Sequence, residues 1–281
     1  MNQRFTKMEG IGNDFIVFDC LAPDGPSEAS LQTASEKLCD RKFGIGGDGV
    51  LLVLPSTSAD FKMRMFNPDG SEAEMCGNGI RCFAKFVSDR GYTTKRNITV
   101  ETMAGIKALE LAGSHGTVVQ VTVDMGVPGL DRADLPMIGA EGTVLGEAVQ
   151  VGGDTVALTG VSMGNPHVIF FSEDATDSVI DRIGPKLETH ALFPKRINVH
   201  AVQILGRGEI KMLTWERGAG RTLACGTGAC ACAVASTLNG LTDRRVLVHL
   251  PGGDLRIDWA DDDHVYMSGA ATEVFTGEVN L

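Results

Sequence analysis

Hydrophobic and polar residues alternate along much of the chain, and this alternation predicts β-strands. The alternating stretches are residues 61–66, 106–111, 118–123, 199–205, 210–215 and 246–250. Apolar residues at helical spacing predict four helices, within residues 31–39, 80–87, 178–189 and 229–238. The last is rich in alanine and cysteine on all faces, which indicates a central, buried helix. We therefore predict a mixed α/β (α+β) protein with mostly antiparallel or mixed sheets.

Two stretches of the chain lie 149 positions apart (225 − 76 = 149) and follow one plan. Each places a cysteine directly before a glycine–polar–glycine turn and a predicted helix, in Cys76-Gly77-Asn78-Gly79 and in Cys225-Gly226-Thr227-Gly228. We infer two pseudo-symmetric halves that carry a matched pair of half-sites, with an active site in the cleft between the halves.

The length of 281 residues permits one large domain or two of about 140 residues, and the repeat favours two. Glycine and proline interrupt the strand pattern between Met125 and Pro136. The predicted N-terminal half therefore spans residues 1–125, is completed by residues 270–281 and carries Cys76. The predicted C-terminal half spans residues 126–269 and carries Cys225.

The net charge is −11, from 25 Lys plus Arg against 36 Asp plus Glu, so we expect no nucleic-acid partner. Charged residues interrupt the first fifteen positions, and no apolar run reaches membrane-spanning length, so we expect a cytoplasmic protein without a membrane partner. Seven cysteines without regular spacing argue against a disulfide framework. A small polar or zwitterionic substrate fits this composition.

Two motifs have simple structural explanations. The segment Gly44–Gly49 matches the dinucleotide-binding glycine pattern, but an apolar strand rather than a helix follows it, so we predict a tight turn. The remaining cysteines lack metal-ligand spacing, and residues two apart on a helix point to different faces, so no metal site is predicted. We interpret them as buried apolar residues: Cys20, Cys39, Cys82, Cys230 and Cys232.

Cys76 and Cys225 differ from the other cysteines because a helix starts directly after each. A sulfur at a helix N-terminus meets the positive end of the helix dipole and the N–H groups of the first turn, a setting that favours the thiolate. Two such helix ends also form a site suited to a carboxylate. One sulfur could then remove the hydrogen from the carbon beside that carboxylate while the other returns a proton to the opposite face.

The chain shows no recognisable pyridoxal-phosphate site and no metal-ligand spacing, so we predict that this chemistry uses no cofactor. The carbanion would be stabilised by the helix dipoles and N–H groups that hold the carboxylate in a dry site. Polar residues at equivalent places in both halves are candidates for orienting a small, highly polar molecule: Asn13, Asn67, Asn165, His167, Asn198, Glu216 and Arg217.

All of these residues except Asn198 lie in motifs that closely resemble the diaminopimelate epimerase family, and the resemblance covers nearly the whole chain. The resembling segments are 7–15, 66–71, 75–81, 164–167, 215–218 and 223–228. Members of this family interconvert LL- and meso-diaminopimelate on the bacterial and plant lysine pathway, without pyridoxal phosphate. The resemblance also implies two similar α/β halves, each with a sheet wrapped around a central helix, and a homodimer.

By this resemblance, Cys76 and Cys225 are the two catalytic acid/base residues. The α-carboxylate would be held by Gly77, Asn78, Gly226 and Thr227. The rest of the substrate would be bound by Asn13, Asn67, Asn165, Asn198, Glu216 and Arg217, while His167 and Glu216 would support the thiols.

The sequence departs from the family pattern at two positions. Gly49 stands where many members carry Gln or Asn, and Phe275 lacks the hydroxyl that many members carry near a dimer contact. Two alternatives remain open. One is a proline- or hydroxyproline-type racemase, and the other is a non-catalytic thiol redox or zinc-binding protein.

Overall fold

The computed structural model of the protein describes residues 2–114 and 117–281. The chain divides into two compact units. Unit 1 contains the residues up to Val123 together with Ser268–Leu281, and unit 2 contains Asp124–Met267.

The elements alternate between strands and a few helices along the described chain. In chain order the strands are β1 (Asn2–Gly10), β2 (Asn13–Asp19), β3 (Gly49–Leu54), β4 (Phe61–Phe66), β5 (Asn97–Thr102), β6 (Gly105–Ser114), β7 (Thr117–Asp124), β8 (Glu147–Val151), β9 (Asp154–Ser162), β10 (Pro166–Phe171), β11 (Asn198–Gly206), β12 (Glu209–Glu216), β13 (Gly220–Thr222), β14 (Arg245–Leu250), β15 (Gly253–Trp259), β16 (Val265–Gly269) and β17 (Thr272–Asn280). The helices are α1 (Glu28–Cys39), α2 (Gly77–Asp89), α3 (Asp177–Glu188) and α4 (Gly226–Leu238), with a short 3₁₀ helix at Arg132–Asp134.

In unit 1 most strand pairs are antiparallel. β1 pairs with β2 and β17, β3 pairs with β4, and β6 pairs with β5 and β7. Two pairs are parallel, β2 with β3 and β4 with β5. A parallel pair needs a long crossover, and here α1 and α2 provide the two crossovers.

Unit 2 repeats this series of pairings. β9 pairs antiparallel with β10, β11 with β12, and β14 with β15. The parallel pairs are β10 with β11, crossed over by α3, and β12 with β14, crossed over by α4. β8 and β13 add antiparallel partners to β9 and β12. The sequence repeat therefore corresponds to a repeat of topology.

The two cysteine-led helices are the buried helices of their units. Every residue from Gly77 to Val87 in α2 is buried, and α2 packs against β1, β2, β3, β6 and β17. In α4, ten residues between Gly226 and Ser236 are buried, and α4 packs against β9, β10, β11, β12, β14 and β15. Gly91 and Gly240 follow the helices with positive φ (77° and 70°), which lets the chain turn away at the helix C-terminus.

The mixed α/β class is confirmed, as are the four predicted helices. α1, α2 and α4 begin before their apolar repeats, and α3 has the predicted length, shifted by one residue. The Gly44–Gly49 segment is a turn that leads into β3, as predicted. Several strands were missed, including β1 and β17. Residues in β17 are exposed or half-buried throughout, so this strand lacks the apolar alternation that marks a half-buried strand.

The cysteines outside the two motifs are mostly core residues. Cys39, Cys82, Cys230 and Cys232 are buried, but the prediction was wrong for Cys20, which is half-buried beside the unit 1 core. Burial raises the pKa of the Cys39 thiol to about 11. These buried side chains serve as small apolar groups.

Candidate active site

The unit 1 half-site lies at the N-terminus of α2, where Cys76 is the N-cap residue. The backbone N–H of Gly79 donates to Cys76 Sγ at 3.4 Å. Cys76 Sγ also lies 3.8 Å from Asn13 Oδ1, and because a carbonyl oxygen only accepts, the thiol is the donor in that contact. The helix end and the turn between β1 and β2 together fix the position of this sulfur.

The side-chain amide of Asn13 is held at both ends. Its Nδ2 donates to the Asp48 carboxylate, and its Oδ1 accepts from Asn78 Nδ2 at 3.3 Å. By accepting from Nδ2, Asp48 fixes the orientation of the Asn13 amide, so that Oδ1 faces Asn78 and Cys76. Asn78 is buried although it is polar, which is consistent with this bonded position.

A cluster of charged side chains lies behind Asn13. Asp14 pairs with Lys7 Nζ at 2.5 Å and with both terminal nitrogens of Arg41, at 2.6 and 3.1 Å. Arg41 Nη2 also contacts Asp48 Oδ1 at 2.7 Å. Burial raises the pKa of Asp14, but the hydrogen bonds and charges of Arg41 and Lys7 outweigh it and lower that pKa to about 2. This cluster fixes Asp48, and through it Asn13.

Arg81 is completely buried on α2. Its Nη1 donates to Gly77 O at 2.9 Å and to Asn78 Oδ1 at 3.0 Å, and its Nε donates to Ala270 O at 3.2 Å. The guanidinium thus ties the first turn of α2 to the chain segment before β17. By donating to Asn78 Oδ1, Arg81 also orients the Asn78 amide so that Nδ2 faces Asn13.

Gly49, the position that departs from the family pattern, is tightly enclosed at the start of β3. A Cβ built there would lie 2.7 Å from Met65 Cε and 3.0 Å from Phe66 O. A larger side chain therefore fits only if the Met65 side chain turns away and the Phe66 carbonyl shifts by a few tenths of an ångström. The preceding residue, Asp48, accepts a hydrogen bond from Asn13 Nδ2.

The unit 2 half-site has the same backbone geometry at the N-terminus of α4, although the Cys225 sulfur, unlike that of Cys76, accepts no cap hydrogen bond from the described residues of its helix. Cys225 is the N-cap residue with φ −128° and ψ 105°, close to the values of Cys76 (φ −134°, ψ 114°). Cys225 Sγ lies 3.7 Å from Thr227 Oγ1, and Asn165 Nδ2 donates to that hydroxyl oxygen at 3.3 Å. In each unit, therefore, the asparagine after the Gly turn bonds the residue two positions after the cysteine.

Behind Asn165 lies a row of buried polar side chains. His167 Nε2 is 3.0 Å from Asn165 Oδ1, His167 Nδ1 is 2.9 Å from His200 Nε2, and His200 Nδ1 is 3.0 Å from Thr214 Oγ1. Burial lowers the pKa of His200 to about 3. Burial, followed by the charges of His200 and Arg217, holds the pKa of His167 well below its ordinary value. Both rings are therefore neutral near pH 7.

The turn after β12 carries Glu216 and Arg217. Asn198, buried at the start of β11, donates from Nδ2 to Pro166 O at 2.9 Å and accepts at Oδ1 from the Arg217 N–H at 3.0 Å. Thr222 Oγ1 donates to Glu216 Oε1 at 2.6 Å. Asn198 thus holds the backbone of this turn in place.

Glu188, at the end of α3, supports the same turn from the other side. Its carboxylate accepts from Trp215 Nε1 and from the Gly218 N–H, both at 2.8 Å, and pairs with Arg196 at 3.4 Å. Burial raises the pKa of Glu188, but the bonds from Trp215 and Gly218 outweigh it and lower that pKa. A buried carboxylate with these partners remains ionised and keeps the turn ordered.

The structure brings most predicted site residues of each unit together. In unit 1 the group is Cys76, Gly77, Asn78 and Asn13. In unit 2 it is Cys225, Gly226, Thr227, Asn165 and His167. Asn67 is different, because its side chain donates to Ser71 Oγ at 3.0 Å within its own turn.

Several supporting residues were not predicted from sequence: Asp48, Arg81, Glu188, His200 and Thr214. Asp48 was placed in a turn, and its carboxylate gave no sign of a partner 35 positions earlier. His200 lies in a strand whose first five residues are all buried, which the sequence alone does not show. A buried histidine needs a hydrogen-bonding partner.

Among residues 2–114 and 117–281, no group of three or more His, Cys, Asp or Glu side chains is arranged to hold a metal ion. No helix within these ranges is long and apolar enough to cross a membrane.

The model of the diaminopimelate epimerase family matches residues 5–130 and 159–274. The chain is 54% identical over 274 residues to diaminopimelate epimerase of Pelotomaculum thermopropionicum, covering 98% of both chains. It is 51% identical over 278 residues to that of Moorella thermoacetica, covering 99% of both. The chain belongs to the diaminopimelate epimerase family. As an epimerase-family protein it is an isomerase, and the rival zinc or redox interpretation has no comparable support.

More distant solved structures share the fold of this epimerase-family chain. A PhzF-family phenazine biosynthesis protein of Bacillus anthracis superposes with a TM-score of 0.71 at 19% identity, covering 100% of both chains. A hydroxyproline epimerase of Agrobacterium vitis superposes with a TM-score of 0.70 at 14% identity, and the superposition covers 99% of this chain and 91% of the epimerase chain. At these identities the likeness concerns the fold alone.

Proposed function

We propose that this enzyme interconverts LL- and meso-2,6-diaminopimelate, without a cofactor, by proton transfer between its α-carbon and the Cys76 and Cys225 thiols. The observation that carries the proposal is the matched pair of N-capping cysteines in a diaminopimelate epimerase family chain. Each has an asparagine-anchored polar residue two positions later. Equivalent sulfurs suit a reaction whose forward and reverse directions exchange the roles of base and acid.

The proton balance needs one thiolate and one thiol. The thiolate takes the α-hydrogen as a proton, and the electron pair of the C–H bond stays on the α-carbon. The thiol then donates its proton to the opposite face, so the centre is inverted and the protonation states of the sulfurs are exchanged. Because the two sulfurs act as a coupled pair, their apparent pKa values belong to the pair.

The substrate α-carboxylate would be held at the helix N-termini that follow the cysteines. There the backbone N–H groups of Gly77, Asn78, Gly226 and Thr227 provide donors, and the helix dipoles favour negative charge. The carbanion places additional negative charge on this carboxylate, so fixed donors would lower the barrier by electrostatic stabilisation.

The other, L-configured end of the substrate would be read by the remaining polar residues. These are Asn13, Asn67, Asn165, Asn198, Glu216 and Arg217. Arg217 would pair with the distal carboxylate, because guanidinium and carboxylate groups match in geometry and charge. A polar site of this kind rejects substrates that leave its groups unpaired.

The proposal places the enzyme in the cytoplasm, in lysine biosynthesis, as a homodimer that acts on a small molecule. Its net charge of −11 gives it no general attraction to nucleic acid. Light scattering in solution would test the dimer, and a monomeric mass would contradict it.

The test is exchange of the α-hydrogen in deuterium oxide, with diaminopimelate as substrate. We expect exchange and epimerisation in the wild type, and a loss of at least about 10²-fold in Cys76→Ala and Cys225→Ala, because general acid–base groups contribute about 10²–10⁴-fold. Cys82→Ala and Cys232→Ala are matched controls on the same two helices, and both should remain active. Full epimerisation by either Cys76→Ala or Cys225→Ala would reject the thiol pair.

Two further measurements address the alternatives. Faster exchange with proline or hydroxyproline than with diaminopimelate would favour a proline-type racemase. Stoichiometric zinc in the purified protein, together with no exchange on any amino acid, would favour a metal-binding protein.

A further inference from the structure

In the row of buried polar side chains of unit 2, the donor and acceptor of each hydrogen bond can be assigned from the chemistry of the groups. Asn165 Oδ1 only accepts, so His167 Nε2 carries the hydrogen in that contact. In a neutral ring, Nδ1 then accepts, so the hydrogen of the next contact is on His200 Nε2. His200 Nδ1 accepts in turn from the Thr214 hydroxyl. The row is thus one chain of hydrogen bonds that all point toward Asn165.

At its Asn165 end, this chain of hydrogen bonds continues to the sulfur of Cys225. Asn165 uses its Oδ1 for His167, so its Nδ2 donates to Thr227 Oγ1 at 3.3 Å. The Thr227 hydroxyl, having accepted that bond, retains its own hydrogen as a donor. Cys225 Sγ lies 3.7 Å from this hydroxyl, within reach of a hydrogen bond to sulfur.

The equivalent positions of unit 1 are apolar. The repeat offset of 149 relates Leu51 to His200 (51 + 149 = 200) and Met65 to Thr214 (65 + 149 = 214). The strand registers agree, because Leu51 pairs with Met65 and His200 pairs with Thr214. The chain of hydrogen bonds is therefore present in unit 2 and has no counterpart at the equivalent Leu51 and Met65 positions of unit 1.

His200 is also confined by its neighbours. Its exposed fraction is 0%. A Cβ on Gly228, in the first turn of α4, would lie 2.4 Å from His200 Cε1 and 3.0 Å from Cys225 Sγ. The ring thus packs directly against the helix turn that carries the sulfur. A buried polar ring destabilises the fold unless its hydrogen bonds are made, and here they are.

We propose that His200 is a positioning residue for Cys225: anchored by Thr214, it fixes His167 and the Asn165 amide so that the Thr227 hydroxyl donates to the Cys225 sulfur. This donor stabilises the thiolate form of Cys225. The proposal rests on the function proposed above for Cys225, but its test needs no substrate.

Titratable and charged groups on several elements interact with this sulfur or with the row of hydrogen-bonded side chains. Arg217, after β12, and His200, on β11, act on His167 of β10, and Cys225 and Cys230 act on Cys232 within α4. Burial keeps His200 neutral near pH 7, with its pKa lowered to about 3. Replacing it with an apolar residue therefore changes no formal charge, and an effect on Cys225 would be transmitted by hydrogen bonds.

The experiment measures alkylation of Cys225 and Cys76 by iodoacetamide as a function of pH, with each peptide quantified by mass spectrometry. Five proteins are compared: the wild type, His200→Leu, His200→Gln, Thr227→Val and the double variant His200→Leu/Thr227→Val. Leucine is the residue at the equivalent position of unit 1. Glutamine keeps an N–H donor for His167. Cys76, in the other unit, is the internal control in every sample.

In His200→Leu, the Asn165 amide loses its fixed orientation, so the Thr227 hydroxyl donates to the sulfur less often. We expect the pH midpoint of Cys225 alkylation to rise by at least about 0.5, a threefold change in ionisation constant, with the Cys76 midpoint unchanged. His200→Gln should restore the wild-type midpoint. Adding His200→Leu to Thr227→Val should cause no further rise, because the donor is already gone.

An unchanged Cys225 midpoint in His200→Leu would overturn the proposal, as would faster alkylation at every pH without a shift of midpoint, which indicates loosened packing. If His200→Leu does not fold, nitrogen-15 NMR of the histidine rings decides the matter in the wild type. We expect His167 and His200 to be neutral with hydrogen on Nε2. Hydrogen on Nδ1 of His167 would reverse the chain and reject the proposal.

The two proposals can fail separately. A midpoint shift in an enzyme that does not exchange the α-hydrogen of diaminopimelate would reject the proposed function and leave the role of His200 intact. Normal epimerisation by the wild type, with no midpoint shift in His200→Leu, would reject the role of His200 and leave the proposed function intact.

Discussion

Arg81 links the first turn of α2 to the segment before β17, and its replacement by methionine should destabilise the fold and disturb the candidate active site. The guanidinium is completely buried and donates to Gly77 O, Asn78 Oδ1 and Ala270 O at 2.9–3.2 Å. Methionine has a similar length but donates no hydrogen bond. The variant therefore removes the donors while retaining much of the packing volume.

The size of the effect follows from the acceptors left behind. Gly77 O also accepts the regular i to i−4 bond of the helix, so Asn78 Oδ1 and Ala270 O are the two acceptors that lose a partner. An unsatisfied buried acceptor costs about 1–3 kcal/mol. We expect the free energy of unfolding of unit 1 to fall by about 3 kcal/mol. Because Asn78 also loses its fixed orientation, kcat/KM should fall by about 10²-fold.

Urea unfolding followed by circular dichroism measures the first quantity, and α-hydrogen exchange in deuterium oxide measures the second. Arg90→Met is the matched control, because Arg90 follows the same helix but is one-third exposed in its pair with Glu273. Such a pair contributes at most about 1 kcal/mol. If Arg81→Met were no less stable than Arg90→Met and retained wild-type kcat/KM, the argument from buried acceptors would be refuted.

Three further changes test other supports of the site. Asp14 has a lowered pKa, so its ionised form stabilises the fold above the unfolded-state value of 3.8, and this contribution is lost as pH falls toward about 2. Asp14→Asn should lose less unfolding free energy than the wild type between about pH 5 and pH 3, and equal losses would contradict this. Gly49→Ala brings a Cβ within 2.7 Å of Met65 Cε and 3.0 Å of Phe66 O, and in urea unfolding it should lower the free energy of unfolding by about 1–3 kcal/mol. Unchanged stability would mean that the Met65 side chain turns away without cost. Glu188→Gln weakens the bond from Trp215 Nε1, so the KM for diaminopimelate should rise more than kcat falls, and a change in kcat alone would count against a role in binding.

The positions of the two cysteines within their units could be predicted because the signals were local. A cysteine followed by glycine, a polar residue and glycine, and then by apolar residues at helical spacing, predicts a helix N-terminus. The structure has Cys76 and Cys225 as N-cap residues with nearly equal backbone angles. Such information lies within a few residues of the chain, so it is visible without knowledge of the fold.

The supports of the site could not be predicted, because their partners are distant in sequence. Asp48 meets Asn13 across 35 positions, and His167 meets His200 across 33. In both cases the contact arises from a parallel strand pair, β2 with β3 and β10 with β11. Its register depends on how the α1 and α3 crossovers pack. Alternation of polar and apolar residues does not specify that register for strands buried on both faces.

The repeat itself offered a way to find the chain of hydrogen bonds in unit 2. Aligning the halves places His200 opposite Leu51 and Thr214 opposite Met65. A polar residue at a position that is apolar in the other copy must be either exposed or bonded, since burying it unbonded would destabilise the fold. His200 and Thr214 lie in predicted strands, yet the sequence does not show which faces of those strands are covered. Only the structure, where both residues are buried and bonded to each other, decides between the two outcomes. The general inference is that differences between copies of a repeat, more than their agreement, indicate where each half-site has acquired its own chemistry.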